Sequence, residues 1–530
     1  MKSDEKQREM ILHPIPPLFD RESRILILGS FPSVKSREAA FFYGHPQNRF
    51  WKTLAGVLSE KVPETIDEKK AFLHDNHIAV WDVIKSCEII GSSDSSIRNV
   101  VPNDLSEILN AADIKAIFCN GAKSFGYYEK YLKKKTGKKA VKLPSTSPAN
   151  AAFSLERLKN EWMIICKPLK VAPPHLGNVL LGWYDYNARI LPWRSEPTPY
   201  HVWISEIMLQ QTRVEAVKKY YERWMEELPN VKALAEVSEE KLLKLWEGLG
   251  YYNRARNLKE AAITLMEKYD GELPADYNEL LSLKGIGEYT AGAIASIAFG
   301  LPEPAVDGNV LRVFSRLLAE EGEISKIPVK KAIAREVRRI LPKDRAGDFN
   351  QALMDLGAGI CLPNGSPHCE RCPWEAACLA HKMERETEYP VKAPKKARRK
   401  EQKAVFILEL ENNNTKIILH KRPDSGLLPD LWEFPNVEGI FTLQKAQEQM
   451  KEWKLTDYEI EALGEGKHIF SHVEWQMTGY RVRLNAIAED IIERQEWKLV
   501  SREEFESGYA VPAAFDCYKK RIHWEEGKDS

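Results

Sequence analysis

The sequence predicts a multidomain fold in three parts: an α/β unit at the N-terminus, an all-α centre and an α+β unit at the C-terminus. Three observations carry this reading. At 530 residues the chain is too long for one hydrophobic core. Apolar runs of strand length alternate with helical stretches to about residue 170, and helical patterns then succeed one another to about 388. Val391–Lys403 then holds seven Lys or Arg against one Glu, with Pro394 among them, and strand-like runs resume after it.

Within residues 1–170, Arg24–Leu28 and Lys115–Cys119 read as strands, because each apolar run ends in a Gly-Ser or Asn-Gly turn. Lys167–His175 is a short proline-marked joint. Residues 176–388 form the helical domain, broken at Pro192, Pro229, Pro274 and Pro302. Residues 389–403 read as a solvated basic linker that could also follow a DNA backbone. Ala404–Leu410 and Lys416–His420 then form a hairpin that opens the last domain, 404–530.

Lys+Arg and Asp+Glu balance at 77 each, so the whole chain is not a basic glove for nucleic acid. Any DNA affinity must come from local patches and backbone amides. The start, MKSDEKQREM, has no apolar signal core, and no run is long enough to span a bilayer. A soluble protein of a reducing compartment is expected, with no membrane partner. The eight cysteines agree, since four are scattered and four crowd between Cys361 and Cys378.

The most informative stretch is Leu283–Asn309. Gly285-Ile286-Gly287 lies between two helical patterns, and its glycines let backbone N–H groups approach a phosphate closely. Asp307 then opens the next helix as an N-cap. Upstream, the helix His201–Thr212 places Glu206 and Gln210 one turn apart on one face. Glu206 lies among Ile204, Ile207 and Met208, so partial burial would raise its pKa and keep a proton available. A phosphate grip, a buried acid and a carboxylate suit an enzyme that flips a base from duplex DNA and cuts its sugar bond.

Trp193-Arg194, SEIMLQQT, Gly248-Leu249-Gly250-Tyr251-Tyr252, LKGIGEYTAG and AVDGNVLR occur in this order. Together they resemble the MutY family of adenine DNA glycosylases, within the helix-hairpin-helix superfamily, over about 176–388. The resemblance implies that Glu206 protonates the adenine ring, that Asp307 stabilises or attacks the sugar cation, and that Asn309 assists by hydrogen bonding. Gln210, Gln211, Leu249 and Tyr251 match positions that fill or probe the base stack around a flipped nucleotide. Arg194, Thr212, Gly285 and Gly287 complete the expected DNA-contacting set. The competing resemblance is to endonuclease III, whose hairpin lysine forms a Schiff base. Here Tyr289 stands at that position, before Thr290, and a phenol cannot form one. Base removal without efficient strand cleavage is therefore expected.

Cys361, Cys369, Cys372 and Cys378 are spaced C-x7-C-x2-C-x5-C. Spacing alone leaves iron–sulfur and zinc equally open. The MutY resemblance implies one [4Fe–4S] cluster, with a first gap one residue longer than the family's that Pro363-Asn364-Gly365 would absorb as a turn. The cluster would hold a loop bearing Arg371 and Trp374 toward DNA.

Residues 404–530, with Leu431–Pro435 (LWEFP), resemble the Nudix-like domain that follows MutY catalytic domains. The metal-binding Nudix helix pattern is absent from the sequence, so pyrophosphate hydrolysis is not expected. Phe470-Ser471-His472 matches the loop with which the family senses 8-oxoguanine opposite adenine. At the other end, Leu28–Ser33, Tyr43–Trp51 and Leu143–Asn150 resemble the uracil-DNA glycosylase superfamily, closest to its hypoxanthine-DNA glycosylase branch. That implies a sandwich fold with Asn48 as the catalytic amide. The loop of Ser147 and Pro148 would press on the DNA backbone.

The whole then reads as a tandem base-excision glycosylase, a cytoplasmic, nucleoid-associated monomer of prokaryotic type. Its substrate would be duplex DNA carrying 8-oxoguanine:adenine or guanine:adenine pairs, or hypoxanthine, with uracil and xanthine behind. The alternative is an endonuclease III-like core with a non-catalytic, DNA-clamping N-terminal module.

Overall fold

The computed structural model describes residues 9–90, 96–394, 397–410 and 415–524. They pack into two units, one of Met1–Ala188 with Val306–Lys392 and the other of Arg189–Ala305 with Ala393–Ser530. The helical stretch 176–388 is thus shared between two packing units, although the sequence marks it as one domain.

In the first unit, β1 (Glu9–Leu12), β4 (Ile84–Ile89) and β5 (Arg98–Pro102) form an antiparallel sheet in the order β1-β4-β5. A parallel sheet of order β3-β2-β6-β7 comprises β2 (Ile25–Gly29), β3 (Ile78–Asp82), β6 (Ala116–Asn120) and β7 (Ala140–Leu143). Every residue of β2 from Ile25 to Leu28 is fully buried. Ile25 and Ile27 share one core with Phe50, Trp51 and Trp162, and Leu26 and Leu28 share another with Ile108 and Tyr128. A strand covered on both faces has no polar side to alternate, which is why it reads as an unbroken apolar run. Parallel pairing sets Gly29 beside Asp82 where both strands end.

Helices Leu176–Asn187, Gly308–Leu318, Ile327–Ile340 and Ala346–Gly359 complete this unit around Phe314, Phe349 and Trp374. The joint at 167–175 is packed: the buried Ala172 donates its N–H to Glu336 Oε2 at 3.0 Å, and Lys170 Nζ reaches Ala319 O at 3.2 Å. Arg339 Nη1 donates to Leu58 O at 2.8 Å. The α/β domain is docked on these helices by several polar contacts rather than hung from a linker.

The second unit joins helices Pro199–Leu209, Val214–Glu227, Asn253–Lys268, Tyr277–Ser282 and Glu288–Ile297, whose core holds Trp203, Trp224 and Trp246, to a seven-stranded sheet. The sheet comprises β8 (Arg399–Leu410), β9 (Lys416–Lys421), β10 (Trp432–Glu433), β11 (Asn436–Glu438), β12 (Tyr458–Ile469), β13 (Val473–Leu484) and β14 (Trp497–Val500). Its path is β10-β9-β8-β13-β12, with β11 on β8 and β14 on β9. β8 and β9 pair antiparallel, as the hairpin reading expects.

The basic segment is shorter than its charge suggests. Arg399–Lys403 already belongs to β8, pairing parallel to β13 from Arg399 opposite Val473. Lys403 Nζ sits 4.8 Å from the Trp475 ring centre, so a charge that reads as solvated serves packing. Lys395 and Lys396 lie outside the described residues. No helix among the described residues is long and apolar enough to cross a membrane.

Candidate active sites

The helix Pro199–Leu209 starts with Thr198 accepting from His201 N and Pro199 at its first position. Glu206 on it is buried at 4% exposure, and Tyr289, from the facing helix Glu288–Ile297, donates its hydroxyl to Glu206 Oε2. Gln210 Nε2 lies 3.4 Å from Thr290 Oγ1. The hairpin between helices Tyr277–Ser282 and Glu288–Ile297 turns at Gly285, whose φ of +78° favours glycine; a Cβ there would lie 2.7 Å from Asn257 Cβ. Gly287 is the N-cap of the following helix, and nothing lies within 4 Å of where its Cβ would be. The helix start there is open to an anion, as phosphate binding at a helix N-terminus requires.

Arg254 organises this region. Its Nη1 donates to Ile207 O at 2.7 Å, Met208 O at 3.2 Å and Gln210 O at 2.7 Å, and its Nη2 to Leu249 O and Gly250 O at 3.0 Å. One guanidinium thus takes the last carbonyls of the Glu206 helix and ties them to the Gly248–Tyr251 loop. Burial pulls its pKa down to about 10, so it stays charged at neutral pH.

In the other unit, Asp307 caps helix Gly308–Leu318. Its Oδ1 accepts from Val310 N at 2.7 Å and its Oδ2 from Asn309 Nδ2 at 2.7 Å. Asn309 Oδ1 accepts from Arg312 Nη2 at 3.0 Å, and Arg312 Nε donates to Cys361 O at 2.9 Å. Burial pushes the Asp307 carboxyl up against the pull of these hydrogen bonds.

Cys361, Cys369, Cys372 and Cys378 line one cavity with Arg316, Trp374, His381 and Glu386. Arg316 Nη1 lies 3.2 Å from Cys361 Sγ and 2.8 Å from Leu362 O, while its Nε donates to Glu386 O and Tyr389 O. Burial, with the Glu386 charge next, pushes Cys369 up to about 11, and burial with the neighbouring thiols pushes Cys372 to about 12. Four sulfurs crowded beside a buried guanidinium fit a soft, thiolate-bound metal group better than a hard cation. Cys369, His381 and Glu386 also offer donor atoms within 4.8 Å of one another, but His381 Nδ1 is already bonded to Glu386 at 2.5 Å. The longer first gap closes as a turn: Gly365 has φ +73°, and His368 N returns to Ile360 O at 3.0 Å.

Phe470-Ser471-His472 forms the tip between β12 and β13. Phe470 packs against Trp475, with ring centres 4.9 Å apart, which leaves Ser471 and His472 exposed. Ser471 Oγ and Tyr251 OH are 2.6 Å apart, and both line a cavity with His472, Leu249, Arg254 and Asn257.

The N-terminal pocket gathers at the strand ends and is lined by Gly29–Ser33, Tyr43, Asn48, Asp82, Asn120 and Ser145–Ser147, among others. Asn48 Oδ1 accepts from Phe50 N at 2.9 Å and from Thr146 Oγ1 at 3.0 Å. A backbone N–H only donates, so the amide oxygen is fixed and Nδ2 is the group left for a ligand. Thr146 is tied in turn to Asn120, Nδ2 to Oγ1 at 2.9 Å. Arg49 clamps the 147–153 loop through Ser147 O at 3.0 Å, Asn150 O at 2.9 Å and Phe153 O. Ser147 lines the pocket, and Pro148 is exposed beside it.

With this geometry in place, comparison with known proteins is direct. Family models match over residues 16–166 (uracil DNA glycosylase superfamily), 204–339 (HhH-GPD superfamily base excision DNA repair protein) and 405–520 (NUDIX domain). The adenine DNA glycosylase of Mus musculus is 36% identical over 354 residues, covering 56% of this chain and 68% of that protein. That of Schizosaccharomyces pombe is 35% identical over 362 residues, covering 56% and 78%. The chain belongs to the adenine DNA glycosylase family. That of Arabidopsis thaliana is 39% identical over 350 residues and 56% of this chain, which spans 55% of its length.

Set beside the expectations from this family, the structure corrects two readings, the extent of the Glu206 helix and the exposure of Trp374. The Glu206 helix ends at Leu209 rather than Thr212; Gln210 leaves helical geometry with ψ 113° and Gln211 has φ +58°, because Arg254 captures the terminal carbonyls. Gln211 is left exposed, and Thr212 Oγ1 turns back to Gln210 O. On the Gly248–Tyr251 loop, Leu249 is 5% exposed and Tyr251 48% exposed, and both line the cavity with Ser471. Trp374 is no DNA-facing aromatic: it is 2% exposed, packs edge-on against Phe314 and donates to Leu176 O at 3.0 Å. Arg371 alone of that pair is exposed. Arg194 Nη1 reaches Arg189 O at 3.2 Å. Sequence reasoning missed Arg254 and Asp82, and gave no role to Tyr43, Arg49 and Thr146 within the motifs that carry the resemblance.

Proposed function

We propose that this member of the family is a base-excision DNA glycosylase with two catalytic centres. One removes adenine paired with 8-oxoguanine or guanine, and the other releases deaminated bases, hypoxanthine first. The observation that carries the first is the buried Glu206 held by the Tyr289 hydroxyl. Cutting a purine N-glycosidic bond leaves negative charge on the base and positive charge on the sugar. A carboxylic acid for the base and a carboxylate for the sugar answer those two needs, as in glycoside hydrolysis. Glu206 is assigned the acid and Asp307 the carboxylate, with Asn309 orienting Asp307 through its 2.7 Å hydrogen bond. Tyr289 offers no amine for a Schiff base, which favours base release without strand cleavage over an endonuclease III-like lyase.

The four cysteines are assigned to a [4Fe–4S] cluster, with Arg316 neutralising part of the thiolate charge. When bound, the cluster supplies a rigid, multiply linked anchor for the loop 361–378. Arg312 then connects that loop, through Asn309, to Asp307.

Because Asp307 must be ionised to stabilise a cation, its raised pKa sets the acid limb of adenine release. Activity is expected to rise as pH climbs through that pKa, at a higher pH than for an exposed aspartate, and to fall again once Glu206 loses the proton it must donate. A single-turnover pH profile checks this, and a limb lying in the ordinary carboxylate range would contradict it.

Ser471 and His472 are assigned to lesion reading, since a hydroxyl and an imidazole can bond to the N7–H and O8 of 8-oxoguanine. Replacing both by Ala is expected to weaken discrimination of 8-oxoguanine from guanine by about tenfold or more, while turnover on guanine pairs changes little. Equal losses on both pairs would count against the assignment.

In the N-terminal pocket, Asn48 Nδ2 is a donor suited to the anion that builds on a departing base. Asn48→Ala is expected to cut hypoxanthine release about 100-fold with duplex binding retained. Release at the wild-type rate would leave Asn48 a turn residue only and favour a DNA-clamping role.

A further inference from the structure

The motifs that define the N-terminal site contain no acid. The first strand ends Leu28-Gly29-Ser30, and the carboxylate that reaches this spot comes from the neighbouring strand. Gly29 of β2 pairs in register with Asp82 of β3, and a Cβ on Gly29 would lie 2.1 Å from Asp82 Oδ1. Asp82 therefore occupies the space that any side chain at position 29 would fill, and only glycine permits it there. Asp82 is 5% exposed, yet it lines the same pocket as Asn48.

Its orientation is fixed from behind. His13 Nε2 lies 2.9 Å from Asp82 Oδ2, and Ile15 N donates to His13 Nδ1 at 3.2 Å. Since Nδ1 accepts, the neutral ring carries its proton on Nε2 and gives it to Oδ2. Oδ1 is left over Gly29, accepting no hydrogen bond from the described residues. Tyr43 brings its buried hydroxyl to 3.3 Å from the same Gly29 Cβ position. Burial and the Asp82 charge push the Tyr43 phenol far up, so it remains a donor. An oriented carboxylate oxygen, a buried phenol and the Asn48 amide thus line one pocket. That is more polar equipment than a turn requires.

We propose that Asp82, oriented by His13, is the general base of the N-terminal centre, taking a proton from the water that attacks the sugar. In this step the water oxygen bonds to C1′ as the bond from C1′ to the base nitrogen breaks, and that bond's electron pair leaves with the base. The Asp82 carboxylate takes one water proton and returns it to solvent, while the base anion gains a proton from solvent. Asn48 serves the leaving group and Asp82 the nucleophile, so the site does not depend on an amide for both. The inference rests on the reading of this domain as a glycosylase.

The test uses the full chain in single-turnover release of hypoxanthine, uracil and xanthine from duplex oligonucleotides. Asp82→Asn is expected to lower the rate about 100-fold with duplex affinity within about threefold. It should also remove the acid limb of the pH–rate profile that a carboxylate base predicts for the wild type. Asp82→Ala should regain rate with added formate, which a purely structural aspartate would not allow. His13→Gln should give a smaller loss, and it carries the test if the Asp82 variants do not fold. Wild-type rates and an unchanged pH profile in Asp82→Asn, or in His13→Gln where the Asp82 variants do not fold, overturn the proposal while leaving the domain a glycosylase. If the wild type releases none of the three bases, the glycosylase reading falls and this proposal with it.

Discussion

Glu206→Gln is expected to lower adenine release from an 8-oxoguanine pair by about a thousandfold, within the range that a positioned general acid contributes. The substitution keeps the size of the side chain and an oxygen to accept from Tyr289, so the facing helices stay together. What it removes is the proton. Tyr289 reaches the same carboxyl, so Tyr289→Phe should give a much smaller loss by leaving the acid present but less firmly oriented. Single-turnover kinetics on one oligonucleotide separate the two, and a Glu206→Gln rate within about tenfold of wild type would remove Glu206 from the acid role.

The second large effect is expected at Arg254, which touches none of the reacting atoms. Arg254→Met keeps much of the apolar stem but leaves five carbonyls, on the end of the Glu206 helix and the Gly248–Tyr251 loop, without their donor. Hydrogen bonds to a charged group contribute about 1.5–3 kcal/mol each, and water can replace some of these. A loss of about 3 kcal/mol or more in stability follows, with a fall in melting midpoint of about 6 °C or more. Adenine release should fall as well, because the turn that sets Gln210 and Tyr251 is released. A thermal melt together with the release assay checks both, and a midpoint within about 2 °C of wild type would show the turn to be self-supporting.

Much of this protein was legible in its sequence because its signals are local. The Gly285 turn, the Asp307 cap and the cysteine spacing each depend on residues close in the chain, and the structure shows the first two as expected. What was not legible depends on partners far apart. Gln210, Gln211 and Thr212 extend a helical pattern in sequence, and only the approach of Arg254 from another helix ends it at Leu209. Trp374 stands in a polar, cysteine-rich loop, where nothing local tells that Leu176 and Phe314 will enclose it. Asp82 is the last residue of the apolar strand β3, and no motif marks it. Its place over Gly29 arises from strand register, which sequence alone leaves open. The basic run at 391–403 misleads for a related reason, since Lys403 has its charge over the Trp475 ring on a neighbouring strand.

The central claim is that this chain joins an adenine glycosylase to a second, separate base-releasing centre. The most direct measurement is base release by the purified wild type from duplexes carrying adenine opposite 8-oxoguanine or carrying hypoxanthine, with each product identified and strand nicking scored before and after alkali. The account predicts free adenine and free hypoxanthine, with strands cut only after alkali. It also predicts that Glu206→Gln lowers the first product alone, about a thousandfold, and Asn48→Ala the second alone, about 100-fold. Strand cleavage without alkali, or loss of both products in either variant, would contradict it.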